Sequence, residues 1–177
     1  MLSYAHCTLC PRRCGVDRTR GQLGFCKMPG QVHAARAGVH YWEEPVISGS
    51  FGSGAVFFSG CTLGCVFCQN RKISREGFGM EVSPERLSEI LTQLEQSGVH
   101  NLNLVTPTHF TPQILQALSL AKPGIPVVMN CGGYERVETL RLWEGSIDIY
   151  LPDLKYFSPA LSQKYSGAAD YFEAASR

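Results

Sequence analysis

From residue 55 onward, short apolar runs alternate with longer stretches whose apolar residues recur at helical spacing. Four runs predict buried strands: Ala55–Phe58, Leu102–Val105, Ile125–Met129 and Ile147–Leu151. Helices are predicted to begin near Ser83, Thr111 and Ser158, and another helix is predicted over Tyr134–Trp143. Strands that alternate with helices in this way are typical of parallel sheets joined by right-handed crossovers. The pattern therefore predicts an α/β fold with about four βα units.

The segment after Ser83 shows the clearest helical pattern. Ser83 can cap the N-terminus of a helix, and Pro84 suits its first position. One apolar face follows before Gly98, formed by Leu87, Ile90, Leu91 and Leu94. The spacing predicts a helix that packs this face against the sheet.

Residues 1–60 follow a different pattern. Residues 31–60 are rich in β-prone side chains with turn breaks, and the Ser- and Gly-rich run at 48–54 predicts a flexible approach to the first buried strand. We therefore divide the chain into a Cys-rich N-terminal metal-binding extension, residues 1–48, and an α/β domain, residues 49–177. The 177 residues are enough to bury a proper core.

Polar or reactive residues follow each of the four predicted strands. These segments are Cys61–Cys68, Thr106–His109, Asn130–Gly133 and Pro152–Lys155. Because the carboxyl ends of parallel strands meet at one edge, we expect these segments to converge on a single rim. The sequence therefore predicts a functional site at that rim.

Three cysteines lie within eight residues directly after the first strand: Cys61, Cys65 and Cys68. Four ligands close a structural zinc site, and four thiolates usually hold an iron–sulfur cluster. Three protein ligands leave an open position, where metal sites carry out chemistry. The spacing favours a 4Fe–4S cluster with one open iron. Zinc is an alternative that needs a distant fourth ligand: His100, His109 or Cys131.

A second cysteine group lies near the N-terminus: Cys7, Cys10, Cys14 and Cys26. The surrounding segment is rich in glycine and proline and has too few apolar residues for a core of its own. Four thiols can complete a closed metal site that would hold this segment folded. A structural zinc and a second iron–sulfur cluster both fit this group, and unpaired thiols on a mobile tail are the alternative.

Composition indicates an ordinary soluble globular protein, with 44% hydrophobic and 18% charged residues. No apolar run is long enough to cross a membrane, and the first fourteen residues lack the apolar core of a signal peptide. Eight cysteines in such a chain favour metal binding over disulfides. We therefore expect a reducing, cytoplasmic location and no membrane partner.

Charge is unevenly distributed although the net charge is only +1. Residues 1–36 hold six basic side chains and a single acidic one, Asp17. This asymmetry can mark a surface for nucleic acid or another acidic partner. A solvated face around a metal-bound segment explains it equally well, so nucleic acid is not the partner we expect.

The Cys61–Cys68 motif, with Phe67 before its last cysteine, resembles the signature of the radical S-adenosylmethionine superfamily. The resemblance implies that these three cysteines hold a 4Fe–4S cluster whose open iron binds S-adenosylmethionine. It also implies reductive cleavage of S-adenosylmethionine to a 5′-deoxyadenosyl radical, which abstracts a hydrogen atom. The implied fold is a partial (β/α) barrel, and strands five and six of the family barrel would be missing after Arg177. We therefore expect a truncated product.

Five segments resemble an uncharacterised branch of the glycyl-radical-enzyme activating proteins, typified by pyruvate formate-lyase-activating enzyme. They are residues 7–26, 48–54, 61–70, 101–110 and 148–155. The resemblance implies an oxidoreductase that installs a glycyl radical on a partner enzyme, with flavodoxin or ferredoxin as reductant. One alternative is a radical S-adenosylmethionine enzyme acting on a small molecule or peptide. Another is a non-catalytic, metal-stabilised module that binds nucleic acid or protein.

The resemblance also assigns cofactor-binding residues position by position, and no catalytic residue beyond the cluster. Phe67 takes the aromatic position whose backbone lies near the adenine. Thr106 and Thr108 replace a Gly-Gly-Glu segment that contacts the methionyl ammonium, so hydroxyls or backbone carbonyls would substitute for its carboxylate. Asn130 stands where relatives have an aspartate. Asp153 matches an aspartate that helps to hold a cation beside the methionyl carboxylate.

Overall fold

The computed structural model describes residues 4–177, which form a six-stranded mixed sheet in the order β3-β1-β2-β4-β5-β6. The strands are β1 Val32–His40, β2 Ser53–Phe58, β3 Met80–Val82, β4 Asn101–Val105, β5 Val127–Cys131 and β6 Ile149–Pro152. Strands β2, β4, β5 and β6 are parallel, whereas β1 pairs antiparallel with both β2 and β3. The α/β prediction is confirmed, and the open sheet fits a partial barrel.

Seven helices cover the sheet or connect its strands within the described residues. They are α1 Pro45–Ser48, α2 Arg71–Ser74, α3 Pro84–Gln96, α4 Thr111–Ala121, α5 Val137–Leu140, α6 Pro159–Ser166 and α7 Tyr171–Ala175. The α3 prediction is confirmed, because the Ser83 hydroxyl accepts from the Arg86 N–H and Leu87 and Leu91 are fully buried. None of the helices in residues 4–177 has the length and apolar character that a membrane span requires.

Alternate residues of the parallel strands face the helices and form the main core. On β4, Leu102 and Leu104 are completely buried against α3 and α4. Asn103 and Val105, which lie between these leucines, point to the opposite side of the sheet. The face of β4 that packs against the helices is therefore apolar, and the opposite face carries an amide.

The predicted helix over 134–143 is shorter in the structure. Only α5 and a following 3₁₀ turn at Arg141–Trp143 are helical, while Arg136 has extended backbone. The physical reason is tertiary, because Tyr134 is buried and donates its hydroxyl to Asp170 at 2.7 Å. Packing of this side chain prevents the helix from beginning earlier.

The N-terminal segment packs directly against the rest of the molecule. Arg18 is buried, and its guanidinium donates to the Met28 carbonyl at 3.1 Å and to the carbonyls of Pro29 and His109. Its charge also lies over the ring of Tyr4, 4.4 Å from the centroid. Strand β1 belongs to the same sheet as β2, and the division of the chain at residue 48 stays a prediction.

Candidate cofactor site

A cavity of about 400 Å³ lies at the carboxyl ends of the four parallel strands. Its lining includes residues from each strand end: Cys61, Cys65 and Cys68 after β2, Thr106 after β4, Asn130 on β5, and Asp153 and Lys155 after β6. Phe67 also lines the cavity, and its ring packs edge-on against Tyr156 and Tyr165. The structure thus brings most of the predicted site residues to one place.

The cluster loop reaches this place through two glycines with positive φ, Gly60 (+79°) and Gly64 (+60°). A Cβ at Gly60 would lie 2.7 Å from the carbonyl oxygen of Cys26, so only glycine fits beside the N-terminal segment. The Cys61 sulfur accepts from the backbone N–H groups of Leu63 and Gly64, each at 3.4 Å. The loop therefore directs two of its own backbone N–H groups at the sulfur of Cys61.

Burial raises the pKa of the Cys61 thiol to about 11, although the N–H groups of Gly64 and Leu63 lower it. A thiolate at this position consequently needs positive charge nearby. A coordinated metal centre supplies such charge, since a coordinating thiol is deprotonated.

Within residues 4–177, no group of three or more Cys, His, Asp or Glu side chains is arranged to hold a single metal ion. Zinc would require its thiolates to converge at about 2.3 Å from one point. The three thiols of the cluster loop line a common cavity without such convergence. In a 4Fe–4S cluster each thiolate binds a different iron, so the ligands have to surround a space. The donor set thus fits a cluster better than a single ion.

The two histidines considered as distant zinc ligands have other contacts. His109 Nε2 lies 2.7 Å from the Ser59 carbonyl oxygen and donates to it, and burial lowers the pKa of His109 to about 3. His100 Nε2 accepts from the Phe51 N–H at 3.2 Å. Cys131, the third candidate, is buried against the main core and also lines the cavity of the three thiols. The contacts of the two histidines weaken the zinc alternative, and Cys131 is the candidate that stays beside the cluster loop.

The N-terminal cysteines are neighbours, three of them buried and Cys14 exposed. Burial raises the pKa of Cys26, and the thiols of Cys7 and Cys14 add to the effect. The Cys10 pKa is raised in the same way, with Cys26 and Cys14 contributing. Their role as ligands of zinc or a second cluster stays a prediction.

Thr108 is the one predicted cofactor residue that the structure does not bring to the cavity. Its side chain is buried next to Glu135, a residue that the sequence did not single out. Burial raises the pKa of Glu135 to about 7, while the Thr108 hydroxyl and the Cys131 thiol lower it. These three side chains therefore lie close together, and the cofactor role of Thr108 stays a prediction.

Thr106 is strained. Its φ of +60° lies in the left-handed region, which β-branched residues rarely adopt. Such a conformation costs about 1–3 kcal/mol and persists only where the surroundings enforce it. Here the Thr106 N–H donates to the Asn130 carbonyl at 2.8 Å, which ties the ends of β4 and β5 together. Strain of this kind is typical of ligand sites.

Asp153 and Lys155 form an ion pair on the cavity wall after β6. The backbone beside them is fixed by Tyr171, whose hydroxyl lies 2.9 Å from the Asp153 carbonyl oxygen and 2.8 Å from the Lys155 N–H. Asp153 lies six residues before α6 begins, so the structure offers no helix end for it to cap. Its carboxylate is therefore available to the cavity.

His40 and Glu43 also line the cavity, although the sequence did not identify them. Both lie at the end of β1 or just beyond it, in the segment assigned to the extension. Asn130 Nδ2 donates to Glu43 Oε2 at 3.1 Å, and His40 Nε2 lies 3.9 Å from Glu43 Oε1. Burial raises the pKa of Glu43, and His40 counteracts this.

Three thiols lie beside the polar ends of four parallel strands in an open, mixed sheet, which defines an α/β protein with a thiol-lined cavity. The family model of the Radical SAM superfamily matches residues 55–175, and the chain therefore belongs to that superfamily. The chain is also 31% identical over 179 residues to an uncharacterised protein of Methanocaldococcus jannaschii. The match covers 96% of this chain and 51% of that protein, so the chain spans about half the length of the curated relative.

Proposed function

We propose that the protein is a radical S-adenosylmethionine enzyme whose 4Fe–4S cluster is held by Cys61, Cys65 and Cys68. The observation that carries the proposal is the position of these thiols, which line one cavity with the ends of β4, β5 and β6. When bound, the cluster supplies the electron that splits S-adenosylmethionine into methionine and a 5′-deoxyadenosyl radical. Members of the superfamily generally use these two cofactors, which supports the proposal.

The chain's own residues would bind and orient S-adenosylmethionine. Phe67 is 57% exposed on the cavity wall and offers a ring edge and backbone beside the cluster loop, as expected for adenine binding. Thr106 and Asn130 offer a hydroxyl and an amide at neighbouring strand ends. Asp153 and Lys155 add a carboxylate and an ammonium, which suit the charged methionyl end.

We further propose a protein substrate, a glycyl radical enzyme, with flavodoxin or ferredoxin as electron donor. The support is the motif resemblance together with large apolar side chains that are exposed within two residues, along the sequence, of residues that line the cavity. These are Trp42 (88% exposed), Leu154 (67%) and Phe157 (78%). Exposed aromatic side chains are enriched where proteins bind each other.

A small-molecule or peptide substrate is the second candidate, because a cavity of about 400 Å³ lies within the usual range for such ligands. The nucleic-acid alternative is weakened by the contacts of two basic residues. Arg18 is buried, and Arg12 donates to backbone carbonyls of the cluster loop. Neither guanidinium is free to neutralise phosphates.

The proposal is tested by replacing each cluster cysteine with alanine and reconstituting the protein anaerobically with iron and sulfide. We expect Cys61→Ala, Cys65→Ala and Cys68→Ala to lose the brown chromophore and the formation of 5′-deoxyadenosine under reductant. Cys131→Ala is the matched control, because its thiol lines the same cavity but lies outside the cluster loop and packs against the core, and it should keep both. Wild-type iron content in all three cluster variants would refute the assignment.

The partner is tested by electron paramagnetic resonance of reduced mixtures that contain S-adenosylmethionine and a glycyl radical enzyme. A glycyl doublet on the added enzyme supports the protein substrate. Cleavage of S-adenosylmethionine without that doublet would favour a small molecule or peptide as the substrate.

A further inference from the structure

A carboxylate from the N-terminal part of the chain lines the cavity in addition to Asp153, whereas the motif after β4 supplies none. Residues 106–108 read Thr-Pro-Thr, so no acidic side chain follows β4. Glu43 lies far away in sequence, yet it lines the same cavity as Thr106 and the three cluster cysteines. Strand β1 ends at His40 opposite Ser53, the first residue of β2, so Glu43 approaches the cavity from the side opposite the cluster loop and contacts its wall through Asn130.

In the described part of the chain, Glu43 is a largely shielded carboxylate with which no lysine or arginine forms an ion pair. Its side chain is only 12% exposed. The Asn130 amide donates to Oε2 at 3.1 Å, and Oε1 has His40 at 3.9 Å, beyond hydrogen-bond distance. Burial raises the pKa of Glu43, and the amides of Asn103 and Asn130 counteract this. A shielded carboxylate that is held by neutral amides, without a permanent cation among the described residues, attracts a positively charged ligand.

A buried amide lies beside Glu43. Asn103 is completely buried, and no hydrogen bond of ordinary length joins its amide to another described residue. The amide nevertheless lies near enough to Glu43 to counteract the rise of the carboxyl pKa that burial causes. Buried amides without a close partner are uncommon in folded proteins, so Asn103 and Glu43 together mark a polar place next to the cavity.

We propose that Glu43 binds the α-ammonium group of the aminocarboxylate ligand, S-adenosylmethionine, in this cavity. The inference rests on the proposed function and names the residue that replaces the missing carboxylate. Oε1 of Glu43 accepts from the ammonium, while Asn130 keeps Oε2 oriented. Hydrogen bonds between charged groups are the stronger kind, and shielding from water strengthens this one further.

The test compares two ligands and three proteins by anaerobic equilibrium dialysis of cluster-loaded protein. The ligands are S-adenosylmethionine and its analogue with a hydroxyl in place of the α-amino group. The proteins are wild type, Glu43→Gln and the matched control Glu44→Gln, whose neighbouring side chain is exposed. Glutamine keeps an acceptor for Asn130, and iron content and melting temperature are recorded for each protein.

Wild type and Glu44→Gln should bind S-adenosylmethionine at least about tenfold more tightly than the hydroxyl analogue. Glu43→Gln should discriminate between the two ligands about tenfold less than wild type, because any difference between the ligands at the open iron is common to all three proteins and only the Glu43 contact is lost. If Glu43→Gln does not fold, Glu43→Met provides the same comparison with an uncharged side chain of similar length.

Discrimination by the Glu43 variants that equals wild type would overturn the role of Glu43 and leave the proposed function intact. Wild-type protein that carries its cluster yet binds neither ligand would overturn the proposed function itself, and the inference with it.

Discussion

At the scale of single residues, Thr106 and Lys122 both have a positive backbone angle φ, which residues other than glycine seldom adopt. Thr106 (+60°) faces the cavity, whereas Lys122 (+46°) ends α4 and does not line it. These two residues therefore show the same backbone geometry beside the cavity and away from it. The pair allows strain and binding to be separated.

We expect Thr106→Gly to raise the free energy of unfolding by about 1 kcal/mol, because relief of strain exceeds the entropic cost of glycine. Binding of S-adenosylmethionine should weaken, since a cavity hydroxyl is lost. Chemical denaturation and equilibrium dialysis measure the two effects. Lys122→Gly should stabilise similarly and leave binding unchanged. A destabilised Thr106→Gly would contradict the strain, and unaltered binding would remove the Thr106 hydroxyl from the site.

Single residues also show where sequence analysis stops. The three cluster cysteines were identifiable because their spacing is chemically specific. Glu43 was not, because Glu44 beside it is the same residue type and only the turn after β1 decides which one is buried. The cofactor role of Thr108 stays a prediction, since the structure places its side chain beside Glu135 and outside the cavity lining.

At the scale of elements, Arg12 connects the N-terminal segment to the cluster loop and to the end of α6. It donates to the carbonyls of Thr62 at 3.0 Å, Leu63 at 3.3 Å, Ser166 at 2.7 Å and Gly167. Its guanidinium also lies over the ring of Phe25, 3.7 Å from the centroid. Arg12 is therefore placed to fix the cluster loop against the segment that holds the second cysteine group.

Arg12→Lys should lower the free energy of unfolding by about 2 kcal/mol. The reason is that a lysine ammonium cannot donate at once to all the carbonyl groups that the planar guanidinium reaches. Iron retained after gel filtration should also fall, since the loop loses its fixed position. Arg13→Lys, at an exposed neighbouring position, is the control and should change neither quantity. If Arg12→Lys keeps wild-type melting and iron content, the connection has no role in holding the loop.

Elements with strong local signals were predictable, and those that depend on pairing were not. Helix α3 follows from Ser83, Pro84 and its leucine face. The predicted strand at Ile125 begins two residues later at Val127, where the N–H donates to the Asp148 carboxylate at 2.8 Å. Strand β3 has three residues and exists because it pairs with β1, a contact that periodicity cannot indicate.

At the scale of the whole molecule, the cavity is assembled from both parts of the sequence. The parallel strands contribute the cluster loop and the polar strand ends, and the segment after β1 contributes His40 and Glu43. The predicted fold class follows from the strand–helix alternation, while the contribution of β1 requires the antiparallel pairing. Because the chain spans about half of its curated relative, the substrate and partners stay proposals.

The central claim is that three thiols leave one iron of the cluster open to S-adenosylmethionine. It is tested most directly by electron paramagnetic resonance of the reduced, cluster-loaded protein before and after addition of S-adenosylmethionine. We predict that the cluster signal changes shape and g values, because the ligand binds the open iron, and that the hydroxyl analogue changes it less. A signal from a fully loaded cluster that is identical with and without S-adenosylmethionine would contradict the claim.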